Sequence, residues 1–203
     1  MMILNQIYST PELSKLIDIC RSDSEILGTE LRKAHYELGT MVGKMIRENH
    51  VTDNAFAVII ILRSGLDFGH GIADELDCPI LFLDEKHDRR WKMNDYNNEF
   101  ILEYKDILAE SSLILVDAVI NTGETIKQIY DTLSKTTTDI VIAANVIQDE
   151  FDNDKIPTYG TRKSSNKFKG CHILKQKGNQ GPDTGDRLFR TLMDSKLSHI
   201  RYN

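Results

Sequence analysis

Apolar positions in the first fifty residues recur at the spacing of an α-helix. Thr10-Pro11-Glu12 combines a threonine cap, a first-turn proline and an acid, which is typical of a helix start. Leu13, Leu16, Ile17 and Ile19 then follow at helical spacing, and a second apolar stripe runs from about Ser24 to Glu48. The pattern predicts two N-terminal helices within residues 1–50, which we interpret as scaffold or dimer surface.

After the helical stripes the chain carries short, nearly continuous apolar runs rich in β-branched residues. These runs are Phe56–Leu62, Pro79–Leu83, Leu113–Val116 and Ile140–Val146, with helical stretches at about Phe68–Leu76 and Thr125–Ser134. Runs of this kind are typical of strands buried on both faces. Their alternation with helices predicts an α/β fold with a central, mainly parallel sheet. Ligands of such folds bind at the carboxyl ends of the strands.

Two segments interrupt this alternation. Residues 84–106 are charged, mixed in sign and dotted with aromatic residues, which indicates a β-flap or an active-site loop. Residues 155–181 contain seven lysines and arginines and no acid. We interpret the whole chain, 1–203, as one domain with a hood and C-terminal loop over 155–191.

Charge and composition narrow the class of protein. The formal net charge of -6 disfavours a general nucleic-acid binder. Three cysteines without metal-ligand spacing are typical of reduced thiols. No apolar run approaches the roughly 20 residues that a membrane span requires, and the N-terminus does not have the pattern of a signal peptide. We therefore expect a cytoplasmic protein.

The strongest chemical pattern is the apolar run that ends in Asp117 and continues into Thr122-Gly123-Glu124-Thr125. A helix start offers unpaired backbone N–H groups to a phosphate, and Gly123 allows close approach of the backbone. Asp117 is an acceptor suited to sugar hydroxyls. An ordinary strand followed by a threonine-capped helix is the alternative.

This string resembles the type I phosphoribosyltransferases, in which an apolar strand with one or two acids leads into a Thr-Gly loop that holds the 5-phosphate of phosphoribosyl pyrophosphate. Most members have two adjacent acids, whereas Ala118 stands in the second position here. This departure resembles the uracil branch, in which one aspartate is followed by a non-acidic residue. The resemblance implies a donor-binding segment that comprises Asp117, Ala118, Val119, Ile120, Asn121, Thr122, Gly123, Glu124 and Thr125.

A second string, Ile60–Ile72 (IILRSGLDFGHGI), resembles a segment of the uracil enzymes. Arg63 follows a buried run and precedes Gly65, so its guanidinium fork is suited to a pyrophosphate. We expect Arg63 to be catalytic together with Asp117. A surface ion pair is the alternative for Arg63.

A third string, Gly181–Thr191 (GPDTGDRLFRT), resembles the C-terminal motif of the same branch. The resemblance implies that Asp183 is catalytic and contacts the donor and the base, and that Pro182 and Thr184 contact the base. It also implies that Asp186 and Arg187 brace the site as a local ion pair. The preceding residues, Gln176–Gly181, depart from the family, so a base other than uracil stays open.

The same resemblance also predicts a second pyrophosphate-binding arginine and a metal ion. Arg89 or Arg90 would be a second arginine for the pyrophosphate, although a solvated run of charges is an equal alternative. Magnesium is the expected cofactor; the pyrophosphate would hold it without a direct protein ligand, and a contact with Asp183 is the alternative.

These patterns predict a magnesium-dependent pentosyltransferase of pyrimidine salvage. It would transfer 5-phosphoribosyl from phosphoribosyl pyrophosphate to a nucleobase, with uracil as the expected base, and yield the nucleoside 5'-monophosphate and pyrophosphate. We expect a homodimer without membrane contact, and we do not expect a nucleic-acid partner. The alternative is a regulator of this fold that binds nucleotides or RNA with little turnover, using the basic residues 155–181.

Overall fold

The computed structural model describes residues 4–6, 10–84, 91, 98–164 and 184–191. Its strands are β1 Leu4–Gln6, β2 Ala55–Ile61, β3 Ile80–Leu83, β4 Ser111–Ile120, β5 Ile140–Gln148 and β6 Thr158–Ser164. Its helices are α1 Pro11–Cys20, α2 Thr29–Asn49, α3 Leu66–Leu76, α4 Glu99–Glu103, α5 Lys105–Glu110, α6 Glu124–Leu133 and α7 Thr184–Phe189.

The strands form one sheet in the order β1-β6-β5-β4-β2-β3. Every neighbouring pair in this sheet is parallel. Because all strands run the same way, their carboxyl ends meet at a single edge of the sheet. The predicted α/β fold with a central parallel sheet is therefore confirmed.

Alternating side chains of the central strands supply two apolar layers, one on each face of the sheet. Val58, Ile60, Ile114 and Val116 pack against helices α1, α2 and α3. Ile59, Leu113 and Leu115 point to the opposite face and pack against α4, α5 and α6. Burial on both faces explains why the strand sequences are apolar runs without polar alternation.

The N-terminal helices follow the prediction in part. Thr10 caps α1, because its Oγ1 accepts a hydrogen bond from the backbone N–H of Leu13 at 3.1 Å. The second helix, however, begins at Thr29 and not near Ser24. Ser24 instead lies in a turn, where its hydroxyl donates to the carbonyl of Ile19 at 2.7 Å. Side-chain bonding of this kind competes with helix formation and explains the late start.

Helices α2 and α3 cross at close range because glycines lie at the contact. A Cβ added to Gly39 would be 2.1 Å from the carbonyl oxygen of Phe68. A Cβ added to Gly71 would be 2.1 Å from that of Tyr36. The two glycines therefore allow the backbones to touch, and this contact sets the position of α3 and of the loop before it.

Two strands lie outside the apolar runs, and one extends beyond its run. Strands β1 and β6 were not predicted, and the part of the hood over 158–164 is a strand within the sheet. Strand β4 spans Ser111–Ile120, so the prediction that the strand ends at Asp117 was wrong. Asp117 interrupts the apolar pattern within β4, but the backbone continues to pair with β5 as far as Ile120.

The segment predicted to be a β-flap or loop, 84–106, contains helix α4 and the start of α5 among its described residues. Asn98 caps α4 by accepting a hydrogen bond from Ile101 N at 2.8 Å. Trp91 is buried and meets Phe100 edge-on, with ring centroids 5.5 Å apart. The aromatic residues thus anchor this segment to the core, while Arg89 and Arg90 lie outside the described residues. None of the described helices is long and apolar enough to cross a membrane.

Candidate active site

Asp117 lies at the carboxyl edge of the sheet, in a step between two strands. Strand β4 pairs with β2 only as far as Val116, which faces Ile60. On its other side it pairs with β5 as far as Ile120. Asp117 is therefore the first residue of β4 beyond the β2 ladder, beside the loop that follows β2. This step places its half-buried carboxylate next to Arg63 and Ser64 in the fold.

Ser64 joins the loop after β2 to Asp117. Its hydroxyl donates to Asp117 Oδ1 at 2.5 Å, and the backbone N–H of Ala118 donates to the same oxygen at 2.7 Å. Two short hydrogen bonds fix the orientation of the carboxylate. Ser64 was not among the predicted site residues, although its position directly after Arg63 in the motif was a usable signal.

Gly65 allows this loop to lie against the end of β4. A Cβ at this position would be 2.8 Å from Val116 O, 2.9 Å from Ile61 O and 3.3 Å from Asp117 Cα. All three atoms belong to the backbone, so a side chain here could not be accommodated by a rotamer change. Gly65 therefore sets the distance between the Arg63–Ser64 segment and Asp117. The Leu62–Arg63 peptide bond before it is cis.

Arg63 takes part in an ion pair with Asp186. Its Nη2 lies 2.8 Å from Asp186 Oδ1, and its Nη1 donates to Thr191 Oγ1 at 3.2 Å. The Thr191 hydroxyl in turn donates to Asp186 Oδ1 at 2.8 Å. The Arg63 side chain remains 53% exposed at the edge of the sheet. Helix α7 and its C-terminal end are thereby linked to the loop after β2.

The predicted ion pair between Asp186 and Arg187 is wrong. The Arg187 side chain points away from Asp186 into the protein and is 3% exposed. Its guanidinium donates to the carbonyls of Cys20, Arg21 and Ile26 and to the Ser24 hydroxyl. These bonds attach α7 to the loop between α1 and α2. The two neighbouring residues therefore face in different directions, one towards the site and one towards the scaffold.

The predicted phosphate loop is shorter in the structure than in the sequence pattern. Ala118, Val119 and Ile120 belong to β4, and the side chains of Ala118 and Ile120 are buried. The connection to α6 is Asn121–Gly123, with Asn121 and Thr122 exposed. It begins at the same edge of the sheet as Arg63 and Asp117.

Gly123 is required at the start of α6. Its φ of 76° lies in the left-handed region, and an added Cβ would be 2.2 Å from the ring of the buried Phe151. Helix α6 begins with Glu124, whose N–H lies 3.4 Å from Thr122 Oγ1. The first turn of this helix thus offers backbone N–H groups beside the hydroxyls of Thr122 and Thr125, a combination suited to an anion.

The base-side predictions lie mostly outside the described residues. Pro182 and Asp183 belong to this part of the chain, and Thr184, half-buried, is the first residue of α7. The described site comprises the arginine at the end of β2, the carboxylate on β4 and the first turn of α6. Such a site can hold a ligand that carries both hydroxyl groups and phosphates.

Known proteins carry the same domain. Residues 33–173 match the family model described as the phosphoribosyl transferase domain, which is more than half of the chain. The chain belongs to the phosphoribosyl transferase family. The family predicted from the three motifs is thereby confirmed. Membership implies a pentosyltransferase that uses phosphoribosyl pyrophosphate and a nucleobase.

Solved structures share the fold at low sequence identity. The AQ2163 protein from Aquifex aeolicus is 14% identical, with a TM-score of 0.58 over 80% of this chain and 89% of that one. A hypothetical protein from Neisseria gonorrhoeae with bound ppGpp is 16% identical, with a TM-score of 0.50 over 68% and 82%. A purine phosphoribosyltransferase from Pyrococcus horikoshii is 18% identical, with a TM-score of 0.49 over 69% and 87%. No curated protein matches the chain.

Proposed function

We propose that this protein transfers 5-phosphoribosyl from phosphoribosyl pyrophosphate to a nucleobase, with uracil as the first candidate. The observation that carries the proposal is the Ser64–Asp117 hydrogen bond of 2.5 Å, which joins the arginine loop of β2 to the carboxylate of β4. The two motifs, 53 residues apart in sequence, thereby form one site beside the start of α6.

Each part of the donor has a matching group in this site. The 5-phosphate would bind the first turn of α6, with its N–H groups, and the hydroxyls of Thr122 and Thr125 would add donors. The ribose hydroxyls would donate to the carboxylate of Asp117, which Ser64 holds in place. The pyrophosphate would contact the exposed guanidinium of Arg63, whose fork geometry suits two phosphate oxygens.

The chemistry is a displacement at C1 of the ribose. The bond from C1 to the pyrophosphate oxygen breaks and its electron pair leaves with the pyrophosphate. A lone pair of a ring nitrogen forms the new C1–N bond, and the proton of that nitrogen passes to solvent. Arg63 stabilises the negative charge that grows on the leaving group, and the Asp117 contacts keep the sugar in position.

Magnesium fits the donor set of this edge. The oxygens of Asp117, Ser64 and Thr122 are hard ligands of the type that magnesium prefers, and this ion usually keeps substrate phosphates and waters among its ligands. When bound, it would neutralise pyrophosphate charge. The pyrophosphate would hold the ion, and Asp183 is the expected protein contact.

Uracil is proposed from the motifs of the uracil branch, in which a non-acidic residue follows the single aspartate, as Ala118 does here. Ala118 is fully buried in strand β4, where a carboxylate would lack solvent. The departures at Gln176–Gly181 leave other pyrimidines and purines open, so the acceptor has to be found with a panel of bases.

A nucleotide-binding regulator is the second candidate. Because the buried Ala118 stands where most members have a second acid, Asp117 is the one carboxylate that this part of β4 offers to the ribose. The protein from Neisseria gonorrhoeae, which shares the fold, binds ppGpp. A regulator would bind a nucleotide at the α6 loop without releasing pyrophosphate from the donor. Contact of residues 155–181 with RNA would be a separate property, revealed by a salt-dependent gel shift.

Pyrophosphate release tests the proposal. The protein is mixed with phosphoribosyl pyrophosphate, magnesium and each of a panel of pyrimidines and purines. We expect turnover with one base and a loss of about a hundredfold or more in Asp117→Asn, because the ribose contact loses its charge. Ser64→Ala is the milder matched variant, with an expected loss of about tenfold from a misoriented carboxylate. Nucleotide binding without turnover on any base would instead support the regulator.

A further inference from the structure

Arg63 is held by two residues from the far end of the chain. Asp186 Oδ1 accepts from Arg63 Nη2 at 2.8 Å, Thr191 Oγ1 accepts from Arg63 Nη1 at 3.2 Å, and the same threonine donates to Asp186 at 2.8 Å. The three side chains thus form a closed ring of hydrogen bonds. Two terminal nitrogens fixed at once set the plane of the guanidinium as well as its position.

Asp186 is itself held on an anchored element. The next residue, Arg187, is buried and donates to three carbonyls and a hydroxyl of the loop between α1 and α2. The N–H of Gly28, at the end of that loop, donates back to the carbonyl of Arg187 at 2.9 Å. Helix α7 is therefore attached to the scaffold, and Asp186 offers a fixed acceptor to Arg63.

The ring leaves much of Arg63 available to a ligand. A guanidinium has five N–H groups, and the hydrogen bonds to described residues use one on Nη1 and one on Nη2. The Nε–H and the second hydrogen of each terminal nitrogen remain, and the side chain is 53% exposed. An anion can therefore approach while Asp186 and Thr191 stay bound on the other side.

We propose that Asp186 is a positioning residue that orients Arg63 for the pyrophosphate of the donor. The inference rests on the proposed function, because it assigns Arg63 to that group. Asp186 acts through Arg63 and does not touch the substrate. The opposite role would be a latch, in which the Asp186 carboxylate competes with the anion and must leave before it binds.

Two variants of Asp186 separate orientation from charge. Asp186→Asn and Asp186→Ala both remove one negative charge next to the anion site, and only asparagine keeps an oxygen that can accept from Arg63 and Thr191. The affinity for magnesium pyrophosphate, measured by calorimetry on the full chain, is compared between these two variants. We expect the alanine variant to bind about three- to tenfold more weakly than the asparagine variant, the range of one hydrogen bond to a charged group. Equal affinities would overturn the proposal.

An Arg63→Ala background tests whether Asp186 acts through Arg63. In that background the two Asp186 variants should bind magnesium pyrophosphate equally, as a double-mutant cycle requires of a coupled pair. A difference that persists without Arg63 would contradict the positioning role. If both variants bind more tightly than the natural protein by the same factor, Asp186 is a latch.

KM values and melting temperatures distinguish a positioning role of Asp186 from a purely structural one. The KM for phosphoribosyl pyrophosphate should rise in Asp186→Ala while the KM for the base and the melting temperature stay close to those of Asp186→Asn. A fall in melting temperature that matches the loss of affinity would mean a merely structural role. If the natural protein binds neither pyrophosphate nor the donor, the proposed function fails. If it binds them and the variants do not differ, only the positioning role fails.

Discussion

Replacing Gly65 by alanine should move the Arg63–Ser64 loop away from Asp117. The added Cβ would lie 2.8 Å from Val116 O and 2.9 Å from Ile61 O, both of which belong to strand backbone. The φ of Gly65 is -71°, which alanine adopts freely, so the effect is steric. The loop after β2 therefore has to move away from the end of β4.

The size of this movement follows from the contact distances. Restoring ordinary contact at 3.4 Å requires a shift of about 0.6 Å. A shift of this size would lengthen the Ser64–Asp117 hydrogen bond from 2.5 Å to about 3 Å. We expect a loss of about 1–3 kcal/mol in the free energy of unfolding, the usual cost of overpacking. Turnover should fall at least about tenfold, because reacting groups are sensitive to misplacement.

Urea denaturation and pyrophosphate release measure the two effects on the same preparation. Gly43→Ala is the matched control, since its Cβ would also be tight, 3.0 Å from Glu75 Cβ and Ile72 O, but at the crossing of α2 and α3. That variant should keep the KM for the donor. A Gly65→Ala protein with unchanged stability and unchanged turnover would refute the close packing of this loop on β4.

Two further predictions concern the scaffold. Burial acts to raise the pKa of Asp139, but hydrogen bonds from Thr52, His50 and Ser112 lower it below its usual value. The stabilisation is therefore present above the unfolded pKa of about 3.9 and is lost as the pH falls below it. Urea titrations at pH values from about 6 to about 3 span the unfolded pKa of an aspartate. Over this range the free energy of unfolding should fall less for Asp139→Asn than for the natural protein. Equal losses would contradict a stabilising role of the Asp139 carboxylate. Arg187→Met should cost about 3 kcal/mol, because buried carbonyls lose their donor; a midpoint shift in urea equivalent to less than about 1 kcal/mol would be too small for that role.

The central strands could be predicted because strands that are buried on both faces consist of continuous apolar runs. Ala55–Ile61 and Ile80–Leu83 were found to within a residue at each end. Strand β6 has no continuous apolar run, because two of its buried residues, Thr158 and Thr161, are polar. Thr161 donates a hydrogen bond to Asn145 of β5, and Asn153 donates to Thr158. The β-branched side chains of Thr158 and Thr161 were a local hint of a strand.

Parts of the site that lie within one sequence motif could be predicted. Contacts between segments that are distant in sequence could not. The loop before α6 and its Gly123 follow from local chemistry. The contacts of Arg63 with Asp186 and Thr191 join residues more than 120 positions apart, so no local pattern carries them. The same holds for Arg187, whose partners lie in the loop after α1. The homodimer, the cytoplasmic location, and the roles of Arg89, Pro182 and Asp183 stay predictions.

The most direct test of the account is identification of the product. The protein is incubated with phosphoribosyl pyrophosphate, magnesium and an equimolar mixture of bases, and the mixture is analysed by mass spectrometry. The account predicts one nucleoside 5'-monophosphate, with uridine 5'-monophosphate the first expectation, and its absence with Asp117→Asn. Binding of the donor without any nucleotide product from any base would contradict the transferase and leave a nucleotide-binding regulator.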